Sequence, residues 1–287
     1  MPHHSDDNEA MRAYRVTPRY LAGPTFDGDV PFQPFLDLDW RPTHDEAGNL
    51  SIASPDQTIR LRYLPEGEDS PLWKITAHSG SSAPPRWLVT FDNRVPAEIV
   101  RDFATSLATA SVEGHHSYLS CHDSTRARLE AGVPLTAAGW SQHHSQSEVT
   151  FRSPEALAEV RLRRLHLDHH DELQHVRERW LMTAGAIGTQ WCATASSLTP
   201  EHLVAAMNAA ITNPEPVIRH GSDLHRLPPQ ATVTPAKPDA SPSLNAQRTQ
   251  AARARLTTTP SHSPQGPVIP AQRSSPPPEI PGPRRGR

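Results

Sequence analysis

Cysteine is nearly absent from this 287-residue chain: Cys121 and Cys192 are the only two, too few for a disulfide framework. Long apolar runs are missing too. No stretch of ~20 uninterrupted apolar residues is available to span a bilayer, and the opening MPHHSDDNEAM lacks the apolar centre of a signal peptide. These absences predict a soluble, cytoplasmic protein with no membrane contact. Lysine is scarce as well, with Lys74 and Lys237 the only two among 28 basic residues, so arginine carries the positive charge; codon bias accounts for this as readily as phosphate recognition does. No nucleophile-elbow glycine pattern, glycine-rich phosphate loop or HExxH helix occurs, which removes the common sequence signs of hydrolases, nucleotide enzymes and zinc proteases. The hydrophobic share is only 36%, whereas proline, at 31 residues, is about twice its usual frequency, so part of the chain is expected not to fold.

What is present repeats. All six tryptophans pair when residues ~35–110 are laid over ~136–214: Trp40 on Trp140, Trp73 on Trp180, Trp87 on Trp191. Ser54-Pro55-Asp56 falls beside Ser153-Pro154-Glu155, and IRLRYL from Ile59 beside VRLRRL from Val160. In each copy apolar residues alternate as in half-buried strands: Ile59, Leu61, Tyr63; Trp73, Ile75, Ala77; Trp87, Val89, Phe91. A fourth, shorter strand is expected at Phe35–Trp40 and around Trp140. Pro96 and Pro200 then each open a helix with one apolar face, at Ile99, Val100, Phe103, Leu107 and at Leu203, Val204, Met207, Ile211; Thr199 is positioned to cap the second. The predicted fold is α+β: two tandem repeats, each an antiparallel sheet of about four strands with one C-terminal helix on one face, the other face left to solvent or a partner.

The expected organisation is a disordered N-terminus over 1–13, copy 1 over 14–112, a polar linker over 113–133 with a short helix at Ser124–Leu129, copy 2 over 134–216, and a disordered proline-rich basic tail over 217–287. Charge segregates along the chain. From Gly221 onward nine basic residues face three acidic ones, while residues 1–220 carry 19 basic and 28 acidic. An acidic body disfavours wholesale coating of nucleic acid, and the basic tail suits an anionic partner or weak contact with the body.

The doubled SerPro-acidic motif, the tryptophan opening each third strand, and the junctions FDNRVPAEIVRDF and ASSLTPEHLVAAM together resemble the SPDY domain of actinobacteria. That family has no known function, and its members commonly carry two copies. The resemblance covers about residues 14–214 and leaves the tail unmatched; SPDQ at Ser54 and SPEA at Ser153 both lack the motif's final tyrosine. It implies an architecture and an actinobacterial cytoplasm, and it supplies no catalytic residues.

Two histidine clusters invite a metal. His166, Asp168, His169, His170, Asp171, Glu172 and His175 offer zinc ligands, but the repeat sets them opposite the Pro65–Ser70 loop, where a solvated polar segment is expected. His115, His116, Cys121, His122 and Asp123 match no standard zinc spacing and read as linker. Cys192, opposite Trp191 on its strand, reads as a small apolar filler. No catalytic, cofactor or metal residue is therefore assigned. One signal is shared by both copies: the alternation that turns Ile59, Leu61, Val160 and Leu162 inward sends Arg60, Arg62, Arg161 and Arg163 to the other face. Arginine forks grip oxyanions bidentately, so these four are the candidate partner-binding residues, with a merely solvated strand face as the competing reading. The leading expectation is a non-enzymatic tandem binding or adaptor protein with a protein partner; linking two weak sites raises avidity. Nucleic-acid binding through the arginine faces and basic tail comes second, and a metal-dependent enzyme third.

Overall fold

Alternating apolar residues fold into two five-stranded meanders that meet edge to edge. The computed structural model describes residues 11–236 apart from 26–28, 66–71, 123 and 187. The first meander comprises β2 (Pro42–His44), β3 (Leu50–Ala53), β4 (Ile59–Tyr63), β5 (Trp73–His78) and β6 (Pro85–Phe91). The second comprises β7 (Ser141–His144), β8 (Glu148–Arg152), β9 (Ala158–Arg163), β10 (Trp180–Ala184) and β11 (Trp191–Ala195). They join in one antiparallel sheet of order β2-β3-β4-β5-β6-β11-β10-β9-β8-β7, which reads the same from either end. At its centre Thr90 pairs with Thr194, Phe91 with Ala193 and Val89 with Ala195, and the two threonine hydroxyls lie 2.8 Å or less apart, at 2.7 Å. Thr90 follows Trp87 by three residues as Thr194 follows Trp191, so a pseudo-twofold axis runs through this pair.

One face of the sheet is covered by α2 (Ala97–Glu113) and α7 (Glu201–Thr212), which pack on each other. Each helix turns one apolar stripe to the sheet, Ile99, Val100, Phe103 and Leu107 on α2 and Leu203, Val204, Met207 and Ile211 on α7, all buried. Pro96 and Pro200 stand at the cap position, and Thr199 makes no cap bond; its hydroxyl contacts Ser196 instead. All six tryptophans are buried in this core, Trp40, at 8%, being the most exposed.

The expected fourth strand is corrected in kind and place. Phe35 lies in the helical turn α1 (Gln33–Leu36), matched by α5 (Val133–Ala137), and the amides of Trp40 and Trp140 close these turns on Phe35 O and Leu135 O. Each copy instead gains two strands before the predicted three. The arginine alignment is corrected too, by two residues. Ser54 and Ser153 open identical turns: each hydroxyl accepts two amides, from Thr58 and Ile59 or from Leu157 and Ala158, and Gln57 and Ala156 adopt positive φ of 62° and 57°. These turns fix the register, so Leu61, paired with Ile75, corresponds to Val160, paired with Met182. Arg62 is thus the counterpart of Arg161, Arg60 that of Glu159, and Leu64 that of Arg163.

Residues 113–133, expected as a linker, are built into the core. They hold α3 (His115–Leu119) and α4 (Thr125–Glu130); the helix expected at Ser124–Leu129 is thus α4, with Ser124 as its cap. Tyr118 is buried; its carbonyl accepts the Trp87 indole N–H at 2.7 Å, and its hydroxyl lies 2.8 Å from that of Thr58. Tyr20 mirrors it across the axis, its carbonyl accepting the Trp191 indole at 2.9 Å and its hydroxyl donating to Glu155 at 2.7 Å. The lead-in segment of each copy therefore caps the other, and 113–133 separates no independent domains.

The tail expectation is corrected for residues 217–236. β12 (Val217–His220) and β13 (Thr232–Pro235) flank β1 (Ala13–Thr17) in a second, three-stranded sheet. Arg219, 2% exposed, anchors it to α2 through both carboxylate oxygens of Glu98 at 2.7 and 2.9 Å, and to the carbonyls of Ala22 and Gly23. A buried guanidinium with its donors satisfied is what lets so polar a stretch hold its place. The expected disorder of residues 1–10 and 237–287 lies outside the described residues.

Candidate functional site: the open face of the sheet

Opposite the helices, strand alternation lays out a row of polar side chains. Moving outward from the central Thr90–Thr194 pair, the first copy contributes Lys74, Arg62, Ser51 and Thr43 in hydrogen-bonded register. The second contributes Leu181, Arg161, Thr150 and His143. At about 4.8 Å between strands, Arg62 and Arg161 stand roughly 24 Å apart.

The two sides differ in charge. In the second copy Glu159 lies 3.3 Å from Arg161 and 2.7 Å from Arg152, and Glu178 bonds Arg163 at 2.8 Å. Arg161 and Arg163 thus each lie beside a carboxylate of their own chain, Arg161 sharing Glu159 with Arg152. In the first copy Arg60 donates to backbone carbonyls, Ser81 O at 2.6 Å and Gln57 O at 3.3 Å, and no carboxylate among the described residues pairs with Arg60, Arg62 or Lys74. Burial, and then the neighbouring Arg62 guanidinium, hold the Lys74 ammonium below the usual lysine range. The four predicted arginines therefore all stand on the open face of their strands; among the described residues Arg161 and Arg163 have carboxylate partners and Arg60 and Arg62 have none.

Beside them lies a cleft of about 680 Å³ between the β2–β3 hairpin and β4, lined by Arg41, Arg60 and Arg62 together with Asp39, Thr43 and Ser51. Arg41 and Lys74 were not singled out by sequence reasoning. Arg41 borders a segment read as a strand, and Lys74 has no counterpart because Leu181 takes its place; the one available signal was that Lys74 is the sole lysine of the folded region.

The histidine-rich loop is a brace across the seam. Asp168 caps α6 (His169–Leu173), which lies against β6 of the other copy. Glu172 is buried and accepts from the amide and hydroxyl of Ser197, both at 2.8 Å. Beyond the helix, desolvation and then the Lys74 charge keep the His175 imidazole below its ordinary range. Among the described residues no three His, Cys, Asp or Glu side chains converge in a way that could hold a metal ion. The second cluster disperses: His115 bonds Asp56 at 2.7 Å, His116 bonds Ser120, and the His122 amide bonds Glu201. Asp123 lies outside the described residues. Cys192 is exposed rather than a core filler, and desolvation by the surrounding chain, with Asp92 beside it, pushes its thiol up to about 11. So little thiolate at neutral pH makes a poor nucleophile.

No helix among the described residues is long and apolar enough to cross a membrane. The family model SPDY, a domain of unknown function (DUF317), matches the chain twice, over residues 53–112 and 152–217. No curated protein and no solved structure is similar enough to match.

Proposed function

Taking this chain as a carrier of two SPDY domains, we propose that it is a non-enzymatic binding protein that holds an acidic protein segment on the open face of its first copy. The observation that carries this reading is the asymmetry of the cations: among the described residues Arg161 and Arg163 are matched by carboxylates, and Arg60, Arg62 and Lys74 on the first copy's side of the face are not. A cation left without a carboxylate on a half-buried face gains more from an arriving oxyanion than one already paired, because pairing offsets a desolvation that has already occurred. The second copy then serves as scaffold, completing the sheet and supplying the brace that carries His175.

An acidic protein is favoured over nucleic acid by two further features. The large hydrophobic side chains exposed among the described residues are Met11, Val112, Val133, Leu165, Val176, Ile218 and Val233, none of them an aromatic ring on which a base could stack. The excess of 28 acidic over 19 basic residues through position 220 opposes a long polyanion that must run beyond this face more than a short acidic segment that fits within it. Titration of the full chain with a labelled Asp/Glu-rich peptide, and with single- and double-stranded DNA at several salt concentrations, tests the reading. Peptide binding that weakens in Arg62→Ala/Lys74→Ala supports it. DNA binding with a slope near −0.9 per phosphate contact, lost in that variant and unmatched by the peptide, would replace it with the nucleic-acid reading.

A further inference from the structure

We propose that the cleft between the β2–β3 hairpin and β4 is a phosphate site that takes a phosphomonoester dianion, such as a phosphorylated side chain of the bound partner. The inference rests on the open face being the binding face, and it names the group recognised there. Arg60 and Arg62 leave β4 on the same side, about 7 Å apart, and Arg41 enters from the segment leading into β2. Arg60 is held in place: its Nε and one terminal nitrogen donate to Gln57 O and Ser81 O, which leaves the other terminal nitrogen to point elsewhere without further loss of rotamer freedom. Across the cleft the hydroxyls of Thr43 and Ser51 lie 2.8 Å apart, and the Thr43 hydroxyl also reaches Ser51 O at 3.3 Å, so the two form a local polar pair beside the guanidiniums. Among the described residues Asp39 is the one carboxylate lining the cleft, and three guanidiniums against it leave a surplus that matches a dianion rather than a single carboxylate.

The second copy is a control built into the chain. At the positions of Arg41, Arg60 and Arg62 it carries Ser141, Glu159 and Arg161, and Glu159 occupies the one cation that remains. The same scaffold without the charge constellation is therefore present in every sample.

The test uses the full chain, with inorganic phosphate, a phosphoserine peptide, the same peptide carrying glutamate at that position, and a DNA oligonucleotide, measured by calorimetry. The phosphopeptide should bind at least about tenfold more tightly than the glutamate peptide, since a dianion gains an additional charge-assisted fork. Arg41→Ala and Arg60→Ala should each erase that preference, and Arg60→Lys should not restore it, because an ammonium keeps the charge but cannot both bond Gln57 O and Ser81 O and present a further donor to the cleft. Arg161→Ala in the second copy should leave it intact. Thermal unfolding of each variant should match the parent, as these side chains reach solvent. Equal affinity for the two peptides, with both still sensitive to Arg62→Ala/Lys74→Ala, overturns the phosphate site and leaves the open-face reading standing. Binding of neither peptide overturns both. DNA binding as tightly as the phosphopeptide shows diester recognition and overturns the monoester.

Discussion

Cutting the chain at two places tests how the segment after α7 contributes to the fold. A chain ending at residue 236 retains β12 and β13, whereas one ending at residue 216 loses them together with Arg219. That loss strands Glu98, whose side chain is 16% exposed. Burial alone would raise the Glu98 carboxyl, and the Arg219 hydrogen bonds and charge reverse this and hold it below the usual carboxylate range. Removing one partner of such a pair typically costs about 3–5 kcal/mol, because the other charge stays buried and uncompensated. Val217, 4% exposed, adds about 1.5–3 kcal/mol of lost apolar burial. For a folded body of this size each kcal/mol lowers the melting temperature by roughly 2–4 °C, so the shorter chain should melt roughly 10–25 °C below the longer one by circular dichroism. The chain ending at 236 should melt with the full-length protein. Because the folded carboxyl of Glu98 titrates below its unfolded value of about 4.3, the ion pair's contribution is complete above that pH and shrinks as pH falls through the folded value. Coincident melting of the 216 and 236 chains at pH 7 would refute the role assigned to Arg219.

Three smaller perturbations follow from the same geometry. A Cβ added at Gly132 would sit 2.4 Å from Phe151 Cζ, so Gly132→Ala should destabilise by about 1–3 kcal/mol in urea unfolding, and an unchanged midpoint would show that Phe151 yields freely. His78 is buried, with Nδ1 donating to Ala83 O at 2.8 Å and Nε2 3.0 Å from the Thr76 hydroxyl, and burial lowers its pKa. Its folded value lies below the unfolded one, so stability should fall as pH drops below about 6.5, by up to about 1.4 kcal/mol per pH unit, and His78→Gln should remove that slope in denaturation series between pH 5 and 7. An anion bound beside Lys74 should raise the pKa of His175, giving proton uptake on binding near pH 6 that calorimetry in buffers of different ionisation enthalpy detects; uptake that persists in His175→Gln would contradict the placement.

The sequence made the core easy to read and the register hard. Six tryptophans at matched positions and helices after Pro96 and Pro200 rest on burial, which leaves a periodic trace. The two-residue slip between IRLR and VRLR left none, because a shift of two keeps every side chain on its own face; only the turns at Ser54 and Ser153, with positive φ at Gln57 and Ala156, set the true pairing. Phe35, Leu36 and Leu38 read equally well as a short strand or as the helical turn they form. VIRH and TVTP are four-residue strands in a polar, proline-rich stretch, held by Arg219 and by pairing with β1, about 200 residues away, and neither is visible locally. The arginine face was legible as a pattern, but its division into paired and unpaired halves depended on Glu159 and Glu178, whose positions the shifted alignment obscured.

The claim that the first copy is the binding face is tested most directly by comparing two double variants against one acidic peptide. Calorimetric affinity should drop at least about tenfold in Arg62→Ala/Lys74→Ala, which removes two cations with no carboxylate partner among the described residues, and stay within about twofold of the parent in Arg161→Ala/Arg163→Ala, whose cations already lie beside Glu159 and Glu178. Equal losses in the two variants, or no loss in either, would contradict it.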